Sequence, residues 1–259
     1  MAGAEADASG TPTLDVSGAV ATITLRRPEV ANRLELVDLD TLHAHLMRID
    51  ADAEVRVLRF LSTGRHFCSG FNVGRVGEAN VNAGARFEAL ANAIEVARPV
   101  TIAAIHGGVF GGACDLALAC DFRLGTPAST MFVPAARLGL HFYRSGLERF
   151  VDRLGLAAAK RVMLAAETFD AQGMREIGML DRIVDAAALS AEVDALTTDL
   201  AGMAPLALLP MKKHLNRIAH GRLDADEIAR DIAAAERSED LQEGGLAWQQ
   251  KRKPQFKGR

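Results

Sequence analysis

The stretch of residues 102–122, IAAIHGGVFGGACDLALACDF, sets an apolar segment, two glycine pairs and a second apolar segment in succession. Residues 99–105 have the composition of a buried strand, and residues 111–119 have the periodicity of a helix. Glycine permits tight turns and close approach of another backbone. The stretch therefore predicts a strand that turns through glycines into a helix.

The start of this predicted helix is suited to binding negative charge. The first N–H groups of a helix lack internal partners and lie at the positive end of its dipole. Such an end stabilises charge that develops on a carbonyl oxygen. A phosphate-binding loop is excluded, because no Lys-Ser/Thr pair follows the glycines and the GxGxxG pattern is absent. The glycines alone are equally compatible with tight helix–sheet packing.

Outward from this stretch, strand and helix patterns alternate. Residues 14–25 predict a hairpin around Ser17-Gly18, and Leu39, Leu42, Leu46 and Ile49 lie on one face of a helix that starts at Leu36. The other predicted elements of this half are a buried strand at 55–61, a helix at 85–96 and a short strand at 122–124. This alternation predicts an α/β fold of repeated ββα units.

Beyond about residue 145 helices dominate. The patterns predict helices at 156–167 and 171–177, the second behind Asp170 as N-cap, then a strand at 179–184 and further helices to about residue 250. Apolar C-terminal helices without a sheet to cover commonly pack on another subunit, so we expect a homo-oligomer. The predicted divisions are a disordered leader at 1–12, an α/β core at 13–195 and a helical region at 196–259.

Composition excludes several classes of function. The 259 residues carry a formal net charge of −3, which argues against a nucleic-acid partner. No apolar run approaches the roughly 20 residues of a membrane span. The first residues lack the pattern of a signal peptide, so we expect a cytoplasmic protein. The three cysteines, Cys68, Cys114 and Cys120, have no CxxC spacing and predict neither a disulfide frame nor a metal site.

Four segments carry a resemblance to a known family. They are the positions Ile102, Ala103, Ile105, His106, Gly107, Gly111-Gly112-Ala113, Leu118 and Cys120-Asp121-Phe122; the segment GRHFCSGFNV at 64–73; Leu25-Arg26-Arg27-Pro28 followed by Asn32; and the ending from Ser238-Glu239-Asp240 to Lys251-Arg252-Lys253-Pro254. From about residue 14 to 257 the chain resembles the enoyl-CoA hydratase/isomerase (crotonase) family. The resemblance implies a crotonase-like spiral of ββα units with a C-terminal helical oligomerisation region. It also implies a homotrimer or a dimer of trimers, and an acyl-CoA thioester substrate without a separate cofactor.

The resemblance also implies site residues. The backbone N–H groups of Phe71 and Gly112 match the pair that forms the family's oxyanion hole. The positions that match coenzyme A contacts are Arg26, Arg27, Phe67, Ser69, Trp248 and Lys251, the last two reaching the nucleotide from a neighbouring subunit in some relatives.

The catalytic positions depart from the hydratase pattern. Asp115 stands where hydratases carry one of their two glutamates, and relatives that shift double bonds also carry an aspartate there. Ala135 stands where hydratases carry the second glutamate. The two-glutamate hydration mechanism is therefore not expected. His141, Tyr143 and Arg144 are the candidates to replace the missing group, and a family decarboxylase carries a tyrosine near this point.

Each candidate has a structural alternative, since Asp115 also suits a helix N-terminus and loop side chains also shape a pocket. The predicted function is stabilisation of a thioester enolate by a hydratase/isomerase-type enzyme. A decarboxylase or hydrolase that uses the 141–144 loop, and a non-catalytic acyl-CoA-binding oligomer, are the alternatives.

Overall fold

The computed structural model of the chain describes residues 10–72, 74 and 82–259. Its helices and strands are β1 (Thr13–Ser17), β2 (Val20–Leu25), α1 (Leu36–Ala51), β3 (Val57–Ser62), α2 (Ala83–Val96), β4 (Val100–Ile105), β5 (Gly108–Phe110), α3 (Gly112–Ala119), β6 (Phe122–Gly125), β7 (Thr130–Phe132), α4 (Arg144–Met163), β8 (Phe169–Asp170), α5 (Ala171–Glu176), β9 (Arg182–Ile183), α6 (Leu189–Ala201), α7 (Pro205–Ala219), α8 (Ala225–Glu236) and α9 (Glu239–Gln249).

The main sheet confirms the α/β prediction. Within the described residues it has six strands in the order β1-β2-β3-β4-β6-β9. The predicted hairpin is its edge, where β1 and β2 pair antiparallel around Ser17 and Gly18. The remaining pairs are parallel. Every residue of β4 is buried, as expected for an inner strand of a parallel sheet covered on both faces.

A second sheet, which the sequence did not predict, is formed by strands that lie before and after α4 in chain order. In the described part of the chain it contains β5, β7 and β8. β5 pairs parallel with β7, and β7 pairs antiparallel with β8. Its side chains Val109, Met131 and Phe169 are buried in the main core. Strands of two or three residues are too short to display a period of two, so no pattern revealed them.

The predicted helices form the cover of the sheets. On α1 the four predicted core residues, Leu39, Leu42, Leu46 and Ile49, are all at most 2% exposed. Burial of each such side chain contributes roughly 1.5–3 kcal/mol. The predicted N-cap of α5 is confirmed, since Asp170 Oδ1 accepts a 2.8 Å hydrogen bond from the Gly173 N–H. The helix predicted from residue 156 is the second half of α4, which bends at Gly155.

The predicted boundary after residue 195 falls inside α6. This helix packs Leu189, Val193 and Leu200 against main-sheet residues such as Val57 and Ile102. The predicted boundary therefore divides a helix that packs on the main sheet. Residues 1–9 of the predicted leader lie outside the described residues, and β1 begins immediately after the leader, at Thr13.

The C-terminal helices leave an apolar groove uncovered. Between α7 and α8 the groove has a volume of about 480 Å³. Met211, Leu215, Ile218 and Ile232 are each more than half exposed on or beside it. Of the described helices, none is long and apolar enough to cross a membrane.

Candidate active site

A cavity of about 400 Å³ opens where α2, the start of α3 and the segment before α4 meet. Its wall is mostly apolar and includes the predicted oxyanion residues and two of the loop candidates. The lining residues are Arg33, Ser69, Phe71, Asn72, Ala83, Gly84, Phe87, Phe110, Gly111, Gly112, Phe132, Val133, Pro134, Ala135, Leu138, Leu140, His141, Phe142 and Tyr143.

Two backbone segments meet tightly at this cavity. Gly70 adopts φ +86°, a conformation that favours glycine. A Cβ on Gly70 would lie 2.8 Å from the carbonyl oxygen of Phe110 and 3.0 Å from the amide nitrogen of Gly112. Glycine at position 70 thus permits the segment before Phe71 to rest against the first turn of α3.

The N–H groups of Phe71 and Gly112 are free to bind a ligand. Neither has a hydrogen-bond acceptor among the described residues, and both residues line the cavity. The adjacent N–H groups are engaged: Gly111 donates to the Phe132 carbonyl at 2.9 Å, and Asn72 donates to the Leu34 carbonyl at 3.0 Å. Two unpaired donors beside one cavity can bind a carbonyl oxygen and stabilise charge that develops on it.

The predicted acid Asp115 is fully buried and does not line the cavity. Tyr143 is the cavity residue that contacts it, since the phenol hydroxyl donates a 2.6 Å hydrogen bond to Asp115 Oδ2. Arg149 Nη1 donates to both carboxylate oxygens of Asp115 at 2.7 Å. The structure thus brings Asp115 and Tyr143 together, with the tyrosine in front.

Burial controls the ionisation of this cluster. Burial raises the pKa of Asp115, and the Arg149 guanidinium opposes the rise. Burial raises the pKa of Tyr143 well above its ordinary value, and the neighbouring Asp115 carboxylate adds to the effect. Burial is the largest single influence on Glu95 and raises its pKa, but the charge and hydrogen bond of Arg149, together with the charges of His220 and Arg153, hold that pKa below its ordinary value.

Arg149 was missed from the sequence. It is 1% exposed and reaches Asn92 Oδ1 at 2.8 Å and Glu95 Oε2 at 3.2 Å with its other terminal nitrogen. In the sequence it is one of several arginines in a charged, amphipathic stretch. Neither periodicity nor spacing distinguishes it from its neighbour Arg153, so no signal identified it.

The other candidates divide between the cavity and the surface. His141 lines the cavity and is exposed, with its Nδ1 at 2.7 Å from the carbonyl oxygen of Phe142. Arg144 does not line the cavity and pairs with Glu148 in solvent. Ala135 lines the cavity and is 4% exposed. Among the described residues that line the cavity, none is an aspartate or a glutamate.

Aromatic rings fix the position of Tyr143. Phe142 stacks on it with the ring centroids 4.7 Å apart, and Phe87 lies at 6.3 Å in a tilted arrangement. Phe87 also meets Phe71 edge-on at 6.2 Å. Such pairs contribute roughly 0.5–1.5 kcal/mol beyond their burial, which favours one ring orientation.

The residues predicted to contact coenzyme A do not lie together within a single chain. Arg27 lines a shallow cleft that shares Arg33 and Asn72 with the cavity. Its guanidinium donates to Asp38 Oδ1 at 3.0 Å. Arg26 Nε donates to the Thr11 carbonyl at 3.1 Å, outside the cavity lining.

The remaining predicted contacts differ in access. Ser69 lines the cavity, whereas Phe67 is only 4% exposed and does not line it. Trp248, on α9, is 87% exposed, and Lys251 follows that helix. Neither lines the cavity of its own chain.

A family model described as enoyl-CoA hydratase/isomerase matches residues 15–259, nearly the whole chain. The chain belongs to the enoyl-CoA hydratase/isomerase family. The match spans both segments that supply the free N–H groups of Phe71 and Gly112.

Individual relatives agree with this membership. The chain is 30% identical to the carnitinyl-CoA dehydratase of Proteus mirabilis, over 95% of this chain and 98% of that protein. It is 26% identical to the short-chain-enoyl-CoA hydratase of Clostridium acetobutylicum, over 95% of this chain and 97% of that one. The structure superposes on an enoyl-CoA hydratase/carnitine racemase from Magnetospirillum magneticum with a TM-score of 0.88, 27% identity and 96% coverage of each chain.

Proposed function

We propose that this protein binds an acyl-CoA thioester in the cavity, stabilises its enolate and moves a proton on it, as a hydratase/isomerase-type enzyme. The observation that carries the proposal is the pair of unpaired N–H groups, of Phe71 and Gly112, beside one cavity. Bound there, the thioester oxygen accepts both hydrogen bonds, which strengthen as the enolate forms. Family membership supports the substrate class.

We favour proton transfer on an enolate over hydration by two carboxylates. The cavity has no carboxylate among its described lining residues, and Ala135 occupies the wall where the resemblance implies a second glutamate. Tyr143 lines the cavity, and its hydroxyl donates a hydrogen bond to a buried carboxylate. Isomerisation needs one group that accepts a proton and returns it, and this pair can supply it.

Decarboxylation is the second candidate. It needs an oxyanion hole and one proton donor, and none of the described residues that line the cavity is a carboxylate that would repel an anionic acyl group. The exposed His141 at the cavity supports this candidate further, since an imidazole can act as a proton donor. Arg144 does not support it, because its guanidinium pairs with Glu148 outside the cavity.

Coenzyme A binding is proposed at the cleft beside the cavity. Arg27 and Arg33 supply positive charge there, and Ser69 lines the adjoining cavity. Arg26, one residue from Arg27, adds charge near the same edge. A phosphate-bearing ligand is therefore expected to bind less tightly as salt concentration rises.

We further propose a homotrimer or a dimer of trimers, in which the groove between α7 and α8 packs on a neighbouring subunit. Its apolar lining and exposed Leu215 and Ile218 support burial by a protein surface. In such an assembly the exposed Trp248 and Lys251 of one subunit would cover the nucleotide bound to another.

A panel of thioesters tests the function. The protein is incubated with crotonyl-, dienoyl-, β,γ-enoyl- and malonyl-type CoA thioesters, and the products are followed by mass and NMR. Conversion of β,γ-enoyl-CoA to its α,β-isomer is the expected result. Loss of carbon dioxide from the malonyl-type compound as the sole reaction would favour decarboxylation, and tight binding without turnover would favour a binding protein.

A further inference from the structure

Tyr143 links Asp115 to the cavity. Asp115 has no exposed surface, and among the described residues Tyr143 is the only hydrogen-bond partner of its side chain that also lines the cavity. A substrate in the cavity therefore contacts Tyr143 and not Asp115. The 2.6 Å hydrogen bond places the phenol proton on a direct line to the carboxylate.

Arg149 holds the far side of Asp115. Its Nη1 lies 2.7 Å from both carboxylate oxygens, while Nη2 is anchored on Asn92 and Glu95. A guanidinium does not give up its proton in proteins. Arg149 thus fixes the orientation of Asp115 and its charge but takes no proton from it.

We propose that Tyr143 and Asp115 form a two-residue proton relay, with Arg149 as its positioning residue. This inference rests on the proposed function, in which a C–H bond of an acyl-CoA breaks. The bonding electrons enter the enolate held by Phe71 and Gly112, and the proton passes to the phenol oxygen. The original phenol proton moves to Asp115 Oδ2, which becomes a neutral acid. The reverse sequence at another carbon returns one proton, so the atoms and charges balance.

The electrostatics of the cluster favour this relay. Burial raises the pKa of Asp115, so the buried carboxyl holds a proton more readily than an exposed one. Arg149 opposes the rise and keeps the carboxylate form available as acceptor. Burial also raises the pKa of Tyr143, so this residue remains a neutral phenol that receives one proton as it releases another.

The coupling can be measured without substrate. Tyr143 is the only tyrosine of the chain, so tyrosinate absorbance in an alkaline titration reports on it alone. In Asp115→Asn the pKa of Tyr143 is expected to fall, because the negative charge beside the phenol is removed while the amide oxygen remains as an acceptor. Arg161→Lys, an exposed arginine of α4 paired with Glu167, is the control that leaves the titration unchanged. An unaltered titration in Asp115→Asn overturns the relay.

Kinetics distinguish the relay from direct attack by Asp115. Tyr143→Phe and Asp115→Asn are each expected to lower kcat at least roughly 100-fold, the scale of one positioned acid–base group. The kcat of the double variant should be no lower than that of the slower single variant, because both residues serve one step. If Tyr143→Phe retains kcat within threefold, Asp115 acts without the tyrosine and the relay is wrong.

Arg149→Lys tests the positioning role. Lysine keeps the charge but cannot reproduce the fork of guanidinium donors. We expect kcat to fall with KM unchanged, and the pH profile of kcat to shift relative to wild type and to Arg161→Lys. A folded Arg149→Lys protein with the wild-type profile contradicts that role. If the wild-type protein turns over no thioester, the proposed function fails, and the tyrosinate titration alone decides the coupling.

Discussion

A Cβ on Gly70 would lie 3.0 Å from the amide nitrogen of Gly112, so the two glycines fix the distance between the segment before Phe71 and the first turn of α3. Both unpaired N–H groups of the candidate site depend on this approach. A side chain at position 70 would separate the donors and strain a backbone at φ +86°. The fold and the proposed oxyanion hole therefore both require glycine at position 70.

Gly70→Ala is predicted to destabilise the protein and to abolish thioester binding. The positive φ alone costs about 1–3 kcal/mol for a residue with a Cβ, and the contact with the Phe110 carbonyl adds to it. Gly18→Ala is the matched control, because Gly18 has φ +54° but open space around its Cβ position. Urea unfolding and calorimetric titration with an acyl-CoA measure both effects. Equal behaviour of the two variants would contradict the importance of the approach.

Gly112→Pro is predicted to lower kcat roughly 100- to 1000-fold relative to Gly112→Ala, because proline removes one oxyanion donor. A Cβ at position 112 would lie 2.7 Å from Phe87 Cζ, so the side chain of either variant would clash with the Phe87 ring. They are therefore compared in a Phe87→Leu background. Steady-state kinetics give the ratio, and a ratio near one would mean that the Gly112 N–H does not bind the thioester.

Arg149→Met is predicted to lower the free energy of unfolding by about 3–5 kcal/mol at neutral pH, because buried Asp115 and Glu95 lose their cation. Without Arg149 only the Tyr143 hydrogen bond, among the described residues, opposes the rise that burial causes in the pKa of Asp115, so the folded state binds protons that the unfolded state has released. By linkage the variant gains stability as the pH falls from neutral towards the carboxyl pKa of the unfolded chain. Urea unfolding across this range checks the sign, and a deficit that grows towards acid would contradict it.

The cysteine thiols are predicted to resist a disulfide reagent in the folded protein. Cys68, Cys114 and Cys120 are at most 1% exposed. Burial raises the pKa of Cys68 to about 12, so little thiolate forms at neutral pH. All three thiols should react rapidly after unfolding in urea. Fast reaction of any thiol in the native protein would indicate an exposed, activated cysteine.

Leu215→Arg is predicted to dissociate the proposed oligomer, because it puts a charge into the groove between α7 and α8. Leu215 is 66% exposed, and Leu164, at 72%, lies outside that groove and provides the control Leu164→Arg. Sedimentation of both variants and the wild type gives the subunit number. A wild-type monomer, or a Leu215→Arg protein with the wild-type mass, would contradict the proposed interface.

The sequence predicted the long elements well, because their patterns follow from burial. The core face of α1 and the buried strand β4 needed only periodicity and composition. The second sheet escaped because β5, β7 and β8 have at most three residues each. The predicted boundary after residue 195 falls inside α6, which packs on the main sheet along its length.

The candidate site was predictable where backbone decides it. The glycines pointed to unpaired N–H groups at the start of α3, and the family resemblance implied the specific pair, Phe71 and Gly112. The buried partners were not predictable, since a contact between Asp115 and Arg149 joins residues 34 positions apart on different helices. The placement of Asp115 behind Tyr143 depends on how α3 packs against α4, which no local pattern records.

The thioester carbonyl itself tests the central claim most directly. Isotope-edited infrared spectroscopy follows the carbonyl stretching frequency of a bound acyl-CoA whose thioester carbonyl is labelled with the heavy isotope of carbon. Two N–H donors, from Phe71 and Gly112, should polarise the carbonyl and lower this frequency relative to the free ligand. In the Phe87→Leu background, the Gly112→Ala variant should keep the full lowering of the carbonyl frequency. The Gly112→Pro variant, which lacks one donor, should show only part of it. A bound thioester whose carbonyl frequency equals that of the free compound would contradict the oxyanion hole.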